Sequence, residues 1–152
     1  MRKSILLCCT IFLTSALFAQ QTSTAAIKQT INTMMDAMRK GDSTLLRSVL
    51  AKDMQLQNVA DDKMGKVLVS TKSATALLTQ IGTPHADVYD ERIVFGNIKI
   101  DGPLASVQAP YKFYLGAAFS HCGVNFFQLA RIDGSWKIIY IAYTTRKDNC
   151  TL

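Results

Sequence analysis

The sequence contains few of the residues that mark metal proteins, nucleic-acid binders and multi-domain chains. Two histidines, His85 and His121, occur among 152 residues, and neither is accompanied by a set of carboxylates at ligand spacing. We therefore expect no metal site and no cofactor. The 17 lysines and arginines are scattered without a long run of like charge, which argues against a nucleic-acid partner. Repeats, low-complexity tracts and linkers are also absent, so the length predicts one domain.

One long apolar run is present, from Ile5 to Phe18, and it lies at the N-terminus. Arg2 and Lys3 precede this run, and Ala19 closes it. A charged start, a short apolar stretch and a small final residue are typical of a secretory signal peptide, and the stretch is too short for a stable membrane span. The sequence therefore predicts a signal peptide over residues 1–19, cleaved before Gln20, and a periplasmic or secreted protein.

Two alternatives for this segment are less consistent with its pattern. A lipid-attachment cysteine is expected at the end of the apolar run, whereas Cys8 and Cys9 lie at its beginning. A buried N-terminal helix normally has a polar face, which this run does not have. We therefore expect a mature chain without a lipid anchor and without membrane association. Removal of Arg2 and Lys3 lowers the formal net charge from +6 to +4, and residues 20–152 form the predicted domain.

The C-terminal part of the chain predicts a β-hairpin. Two strand-like runs, Phe119 to Arg131 and Trp136 to Thr145, flank the turn-forming pair Asp133-Gly134. Regular pairing about this turn places Cys122 opposite Thr145. After signal cleavage, Cys122 and Cys150 are the remaining cysteines in an oxidising compartment, so we predict a disulfide between them. The alternative is two free thiols.

Helices are predicted before the long strands. A helix over about residues 24–40 has an apolar stripe that is rich in methionine, which fits core packing better than a ligand pocket. Asp42 or Ser43 caps a second helix, and a third is capped near Ser70 or Thr71 and ends before Gly82. The predicted strands cover residues 54–59, 66–69, 88–100, 106–116, 119–131 and 136–145, with bulges or bends at Gly96, Gly116 and Gly123.

This order of elements predicts an α+β fold in which the N-terminal helices pack on the concave face of a strongly curved, mixed, mostly antiparallel sheet. The segment Gly134-Ser135-Trp136-Lys137-Ile138 resembles the recurrent final hairpin of the nuclear transport factor two-like (SnoaL and ketosteroid-isomerase-like) superfamily. The resemblance covers about residues 24–150 and implies the cone-shaped, cystatin-like fold of that superfamily.

A second segment, Phe119-Ser120-His121-Cys122-Gly123-Val124, resembles a subgroup of secreted bacterial proteins within this superfamily. Their chains continue to an Asp-Thr-Arg-Arg stretch and a final cysteine. Here Tyr143-Thr144-Thr145-Arg146 replaces the expected Asp and the first Arg. A chemical role of that Asp in the relatives is therefore absent from this chain.

Simple alternation along the terminal hairpin predicts one face with polar groups among apolar ones, as in a ligand pocket. With Tyr114 from the preceding strand, the predicted pocket residues are His121, Asn125, Phe127, Trp136, Tyr140, Arg146 and Tyr114. His121 and Tyr140 are the catalytic candidates. Arg146 is expected to lower the pKa of His121 by like-charge repulsion, and Tyr140 or Tyr114 could donate to an oxyanion. The alternative is a structural hydrogen-bond network around His121.

Two functions follow from this pattern. The first is a non-catalytic secreted module, homodimeric through its open sheet face, that binds a small apolar or aromatic molecule or a protein partner. The second is a small isomerase, dehydratase or cyclase that uses a pocket histidine and tyrosine. Asp87, Asp90 and Glu91 open a strand and are expected to be solvated, so no carboxylate base can be assigned. This absence favours the binding module.

Overall fold

The structure is a computed structural model that describes residues 3–150, with side chains described from Thr22 onward. The predicted signal peptide and its cleavage site before Gln20 lie outside the residues whose side chains are described. Three helices are present in this range: α1 (Lys3–Lys40), α2 (Ser43–Val49) and α3 (Ala74–Gly82). The strands are β1 (Leu50–Asp61), β2 (Val67–Ser73), β3 (Tyr89–Ile93), β4 (Ile98–Asp101), β5 (Leu104–Leu115), β6 (Ala118–Ile132) and β7 (Ser135–Thr144).

All seven strands belong to one open sheet. Its order is β2-β1-β7-β6-β5-β3, and β4 pairs with β5 beside β3. Strands β1 and β7 are parallel, whereas the other neighbours are antiparallel. The predicted α+β fold with a mixed, mostly antiparallel sheet is therefore confirmed. Among the residues with described side chains, no helix is both long and apolar enough to cross a membrane.

The short helices begin where capping side chains satisfy their first backbone N–H groups. The carboxylate of Asp42 accepts a hydrogen bond from the Leu45 N–H at 2.8 Å, and the Ser73 hydroxyl accepts one from the Ala76 N–H at 3.2 Å. The predicted start of α3 near Ser70 or Thr71 is therefore too early. The reason is that β2 pairs with β1 as far as Ser73, so the helix begins only after the strand ends.

The core lies between the helices and the concave face of the sheet. The apolar stripe of α1 is buried there with Leu77 and Ile81 of α3 and with Phe127, Leu129 and Ile138 of the terminal hairpin. Burial of each such large side chain stabilises the fold by roughly 1.5–3 kcal/mol. At the edge of this helix–sheet contact, side chains from the helices and from the sheet form the walls of a cavity.

A β-bulge in the terminal hairpin changes the predicted register. Leu129 pairs with Ile138 but Gln128 pairs with Tyr140, so Ile139 is an extra residue on β7. Beyond the bulge every partner is shifted by one position. Cys122 therefore pairs with Arg146 through two backbone hydrogen bonds of 2.9 Å, and the predicted pairing with Thr145 is wrong. Because side chains alternate between the two faces of a strand, the residues of β7 after Ile139 lie on the opposite face from the one predicted.

The three predicted interruptions differ in kind. The strand predicted over residues 88–100 is broken into β3 and β4 around Gly96, whose N–H donates to the Gln108 carbonyl at 2.8 Å. Gly116 has a φ of +57° in the turn between β5 and β6, a conformation that glycine adopts without strain. Gly123 is not a bulge: it pairs regularly with Tyr111, and its lack of a side chain permits a close approach described below.

Candidate functional site

A cavity of about 170 Å³ lies between the helices and the concave face of the sheet. Its helix side is aliphatic, with Met34 and Met38 from α1 and Leu77 and Ile81 from α3. Its sheet side is aromatic: Tyr89, Tyr111, Phe113, Phe127 and Tyr143. The methionine stripe of α1 thus serves both the core and the cavity wall. Because an apolar cavity of about 150 Å³ holds benzene, this space suits a small aromatic molecule.

Glu91 and Asn125 form a hydrogen-bonded polar pair in the cavity wall. Glu91 is the middle residue of β3, and Asn125 lies on β6 with 4% of its surface exposed. The Asn125 side-chain N–H donates to a Glu91 carboxyl oxygen at 2.7 Å. Burial of the carboxyl group raises the pKa of Glu91 to about 7, against a smaller lowering by this hydrogen bond. Near neutral pH the pair can therefore accept or donate a proton.

Two phenols border the same space. The Tyr111 hydroxyl donates to the Thr144 carbonyl at 2.8 Å, and Tyr143 interacts with the side chain of Asn58. Burial raises the pKa of both phenols above the ordinary value, and the nearby Glu91 carboxylate raises each further. Both groups are consequently uncharged hydrogen-bonding groups at physiological pH.

His121 lines the cavity and is half-buried. Its ring is 4.9 Å from the ring of Phe113, and its Nδ1 is 3.0 Å from the Ser120 hydroxyl. Burial lowers the pKa of His121, and the positive charge of Lys147 lowers it further. The predicted direction of this shift agrees with the structure, but the charge responsible is Lys147 and not Arg146. The imidazole is thus neutral near pH 7.

The structure brings together three of the seven predicted pocket residues. His121, Asn125 and Phe127 line the cavity, because β6 is regular over this stretch. Trp136 is buried in the core, away from the cavity lining. Tyr140 lies beyond the bulge at Ile139 and therefore on the other face. Whether the three cavity residues bind a ligand stays a prediction.

The remaining predicted residues have other partners. The Tyr140 hydroxyl donates to the Gln57 side-chain oxygen. The guanidinium of Arg146 lies 3.4 Å from the Asn149 carbonyl, and Tyr114 lies under the Arg92 guanidinium at 4.2 Å. None of these groups is among the described residues that line the cavity. Tyr140 and Tyr114 are therefore not placed to donate to a ligand there.

Sequence reasoning did not select Glu91, Tyr111 and Tyr143 as site residues. The sequence predicts Glu91 to be a solvated carboxylate near the start of a strand over residues 88–100. In the structure, Glu91 is the middle residue of β3. It lies on the same face of the strand as Tyr89 and Ile93, which pack against the core. This alternation of a carboxylate between two apolar residues was the available signal.

The predicted disulfide joins Cys122 of β6 to Cys150, with 5.7 Å between their Cα atoms. It fixes the segment after β7 against the open end of the cavity. Within that segment, the Thr145 hydroxyl accepts a hydrogen bond from the Asn58 side chain at 2.5 Å, and Lys147 supplies the charge next to His121. Among the described residues, no group of three or more His, Cys, Asp or Glu side chains could hold a metal ion.

Comparison with known proteins gives one family and a set of related folds. A family model described as "Putative lumazine-binding" matches residues 22–144. A nuclear transport factor 2-like protein of unknown function from Shewanella baltica OS155 is 19% identical, with a TM-score of 0.63 over 84% of this chain and 96% of that one. A nuclear transport factor 2-like protein with a cystatin-like fold from Novosphingobium aromaticivorans is 12% identical, with a TM-score of 0.72 over 89% of each chain. At these identities the solved structures support the fold alone. No functionally curated protein matches the chain.

Proposed function

The chain belongs to the "putative lumazine-binding" family of the nuclear transport factor two-like superfamily, and from this membership we propose that it binds a small planar molecule in the cavity. The observation that carries the proposal is the Glu91–Asn125 pair. A carboxyl group and an amide, joined at 2.7 Å, lie in a cavity whose walls are otherwise mostly aliphatic and aromatic. Apolar walls with a few convergent polar groups are typical of small-molecule sites.

The shape and chemistry of the walls favour a flat, aromatic ligand over a flexible or charged one. Rings from β3, β5, β6 and β7 form one side, and methionine and leucine side chains form the other. A planar ring system gains contact area on both sides and loses little conformational entropy on binding. Lumazine, a bicyclic planar heterocycle, is a suitable first probe because the family is named after it and because its ring edge carries hydrogen-bonding groups.

A cavity-filling variant tests this proposal directly. Met38→Trp places a larger side chain into the cavity from α1 without altering Glu91, whereas Tyr140→Phe changes a residue outside the cavity and is the matched control. We expect isothermal titration at pH 6 to give saturable one-to-one lumazine binding by the wild type and by Tyr140→Phe, and at least tenfold weaker binding by Met38→Trp. Melting curves establish that both variants are folded. Unchanged binding by folded Met38→Trp would place the ligand elsewhere.

A second candidate function is proton transfer, as in a small isomerase, dehydratase or cyclase. The observation that favours it is the pKa of Glu91, which at about 7 suits a general base or acid near neutral pH. In this scheme the Glu91 carboxylate removes a proton from a carbon next to a ligand carbonyl, and the hydroxyl of Tyr143 donates a hydrogen bond to the resulting enolate oxygen. Glu91 takes the role that the sequence had suggested for His121.

Deuterium exchange distinguishes binding from proton transfer. NMR in D₂O follows the loss of α-proton signal from small cyclic ketones, in the presence of the wild type, Glu91→Gln or Tyr140→Phe. A catalyst would exchange these protons with the wild type and with Tyr140→Phe, and Glu91→Gln would reduce the rate at least a hundredfold. A rate equal to that of buffer alone, in a protein that still binds the ketone, would support the binding function only.

We also propose export, from the N-terminal pattern of residues 1–19. Intact-mass measurement of protein recovered from the periplasm or medium should show a chain that begins at Gln20 or within two residues of it. A disulfide agrees with such a compartment. Recovery of a full-length chain, or of one that carries lipid on Cys8, would contradict the proposal.

A homodimer is proposed through the outer face of the sheet. Phe126 lies on that face of β6 and is 44% exposed, and large exposed apolar groups are common where subunits meet. Light scattering at micromolar concentration should give twice the monomer mass for the wild type and the monomer mass for Phe126→Lys. A wild-type monomer at all concentrations would contradict this assembly.

A further inference from the structure

Two oxygen atoms of the Glu91–Asn125 pair have no partner within the described part of the protein. They are the Asn125 side-chain oxygen and the Glu91 carboxyl oxygen that does not accept from Asn125. Among the described residues, every fully buried side-chain nitrogen or oxygen has a hydrogen-bond partner, so these two atoms must be accessible. Both residues line the cavity, and Asn125 is nine-tenths buried or more. The Asn125 oxygen is therefore open to the cavity, whereas Glu91 borders both the cavity and a second cleft beside Arg39.

Among the described residues, no cation forms an ion pair with Glu91. The cation among the described lining residues is Lys72, which lies at the exposed rim and donates to the Gln80 side chain at 2.7 Å. On the α1 side, the nearby Arg39 is bound to Asp36 and Asp90 at 2.8 and 2.9 Å. Burying a carboxylate without a cationic partner costs free energy. We therefore expect Glu91 to stay protonated when an apolar ligand is bound.

The other titratable groups that face Glu91 do not change this balance. Tyr111 on β5 and Tyr143 on β7 are neutral phenols because burial raises the pKa of each. His121 on β6 is neutral because burial and Lys147 lower its pKa. Within β3, the carboxylate of Asp90 is bound by two guanidinium groups, those of Arg39 and Arg92. Of these groups, Glu91 is the one whose pKa burial raises to about 7.

We infer that Glu91 and Asn125 together recognise the cyclic amide or imide edge of a planar heterocycle. The protonated Glu91 carboxyl group donates to the ligand carbonyl oxygen, and the Asn125 side-chain oxygen accepts from the adjacent ring N–H. This inference rests on the proposed small-ligand function and specifies its ligand class. A neutral amide edge satisfies both oxygens without bringing a charge into the cavity, whereas a protonated amidine (amidinium) edge offers two donors and requires the carboxylate to be ionised.

Binding of such a ligand is linked to protonation of Glu91. Since the free carboxyl group has a pKa of about 7, it is mostly protonated at pH 6 and mostly ionised at pH 9. An amide ligand that requires the protonated form must then bring a proton with it, and its affinity falls by up to tenfold per pH unit above the pKa. An amidinium ligand that stays protonated over this range would show the opposite slope, because its affinity would rise as Glu91 ionises.

The experiment compares 2-quinolinone, whose ring N–H stays protonated from pH 6 to 9, with N-methyl-2-quinolinone and with benzamidine, whose amidinium group stays protonated over the same range. Titrations at pH 6 and pH 9 use the wild type, Glu91→Gln and the control Tyr140→Phe. We expect 2-quinolinone to bind the wild type roughly 30- to 100-fold more weakly at pH 9, and the N-methyl compound to bind at least tenfold more weakly at pH 6. Glu91→Gln, whose amide still donates, should bind 2-quinolinone with pH-independent affinity. The control should match the wild type.

Equal binding of the two quinolinones, or 2-quinolinone affinity that does not change with pH, would overturn the amide-edge assignment. Preferential binding of benzamidine would overturn it in favour of an amidinium-type edge and leave the small-ligand function in place. If none of the three compounds nor lumazine bound at either pH, the proposed function itself would fail.

Discussion

The ring of Tyr111 lies directly against the backbone of Gly123, its partner in the neighbouring strand. A side-chain carbon built on Gly123 would be 2.8 Å from the Tyr111 ring and would collide with the Thr144 carbonyl. That carbonyl is also the acceptor of the Tyr111 hydroxyl. The glycine therefore leaves the space through which a cavity tyrosine reaches the last strand, and it couples the aromatic wall to the C-terminal segment.

Gly123→Ala should consequently destabilise the fold. The added methyl group must displace backbone of β7 or the Tyr111 ring, and overpacking of this kind costs about 1–3 kcal/mol. Urea denaturation followed by circular dichroism measures the change. Tyr111→Phe, which keeps the ring and removes only its hydrogen bond, is the matched variant and should cost about 1 kcal/mol. An unfolding midpoint of Gly123→Ala equal to that of the wild type would show that β6 and β7 accommodate the methyl group without loss of stability.

Stability should depend on pH through Glu91. The pKa of this carboxyl group is raised in the folded protein from 4.5 to about 7, so the folded state binds the proton more tightly than the unfolded state does. The stabilisation that results from this tighter proton binding is therefore complete below about pH 4.5 and is lost as the pH rises through 7, with a total loss of roughly 3 kcal/mol. Denaturation curves from pH 5 to 8 measure this slope.

Glu91→Gln removes the titrating group and should flatten that dependence. Asp53→Asn changes an exposed carboxylate on β1 and serves as the control, because it should leave the slope unchanged. If wild type and Glu91→Gln lost the same stability between pH 5 and 8, the buried carboxyl group would not be the source of the slope.

The disulfide should stabilise the folded protein by lowering the conformational entropy of the unfolded chain. For a separation of 28 residues, the chain-entropy treatment gives roughly 3 kcal/mol. The double variant Cys122→Ser with Cys150→Ser should therefore melt several degrees lower and keep its sheet signal in circular dichroism. Alkylation of native, never-reduced protein provides the independent check, since two reactive thiols would be inconsistent with the bond.

His121→Ala and Tyr140→Phe should differ in their effect on ligand binding, because His121 lines the cavity and Tyr140 lies on the opposite face of the sheet. His121 lines the cavity and is half-buried, so its truncation should weaken lumazine binding several-fold with a small effect on stability. Tyr140→Phe removes a hydrogen bond to Gln57 and should cost about 1 kcal/mol without altering binding. Melting curves and titrations on both variants are sufficient. Weaker binding by Tyr140→Phe together with normal binding by His121→Ala would reverse the assignment of faces.

The periodicity of apolar residues was sufficient to predict the helices, the terminal hairpin and the fold class. It also located His121, Asn125 and Phe127 on one face, because β6 keeps a regular period of two where these residues lie. It failed for Tyr140 because Ile139 forms a bulge. Isoleucine favours regular strands, so no local signal distinguishes this position from its neighbours.

The position of Glu91 in the cavity could not be predicted from the neighbouring sequence, for a different reason. Glu91 lies near the start of the strand that the sequence predicts over residues 88–100, and carboxylates in such positions are usually solvated. Its burial depends on Asn125 and Tyr111, which are more than 15 residues away and reach it only through pairing of β3 with β5 and of β5 with β6. Tertiary contacts of this kind determine both the pKa of the group and its place in the cavity.

The bond between Cys122 and Cys150 also closes a covalent ring that contains most of β6, the whole of β7 and the exposed turn at Asp133-Gly134. Exposed turns are preferred sites of proteolytic cleavage. A single cut in this turn would yield two polypeptides that remain joined through the sulfur bridge and through the strand pairing. A nicked molecule would therefore keep its mass under non-reducing electrophoresis, and it would separate into two fragments only after reduction.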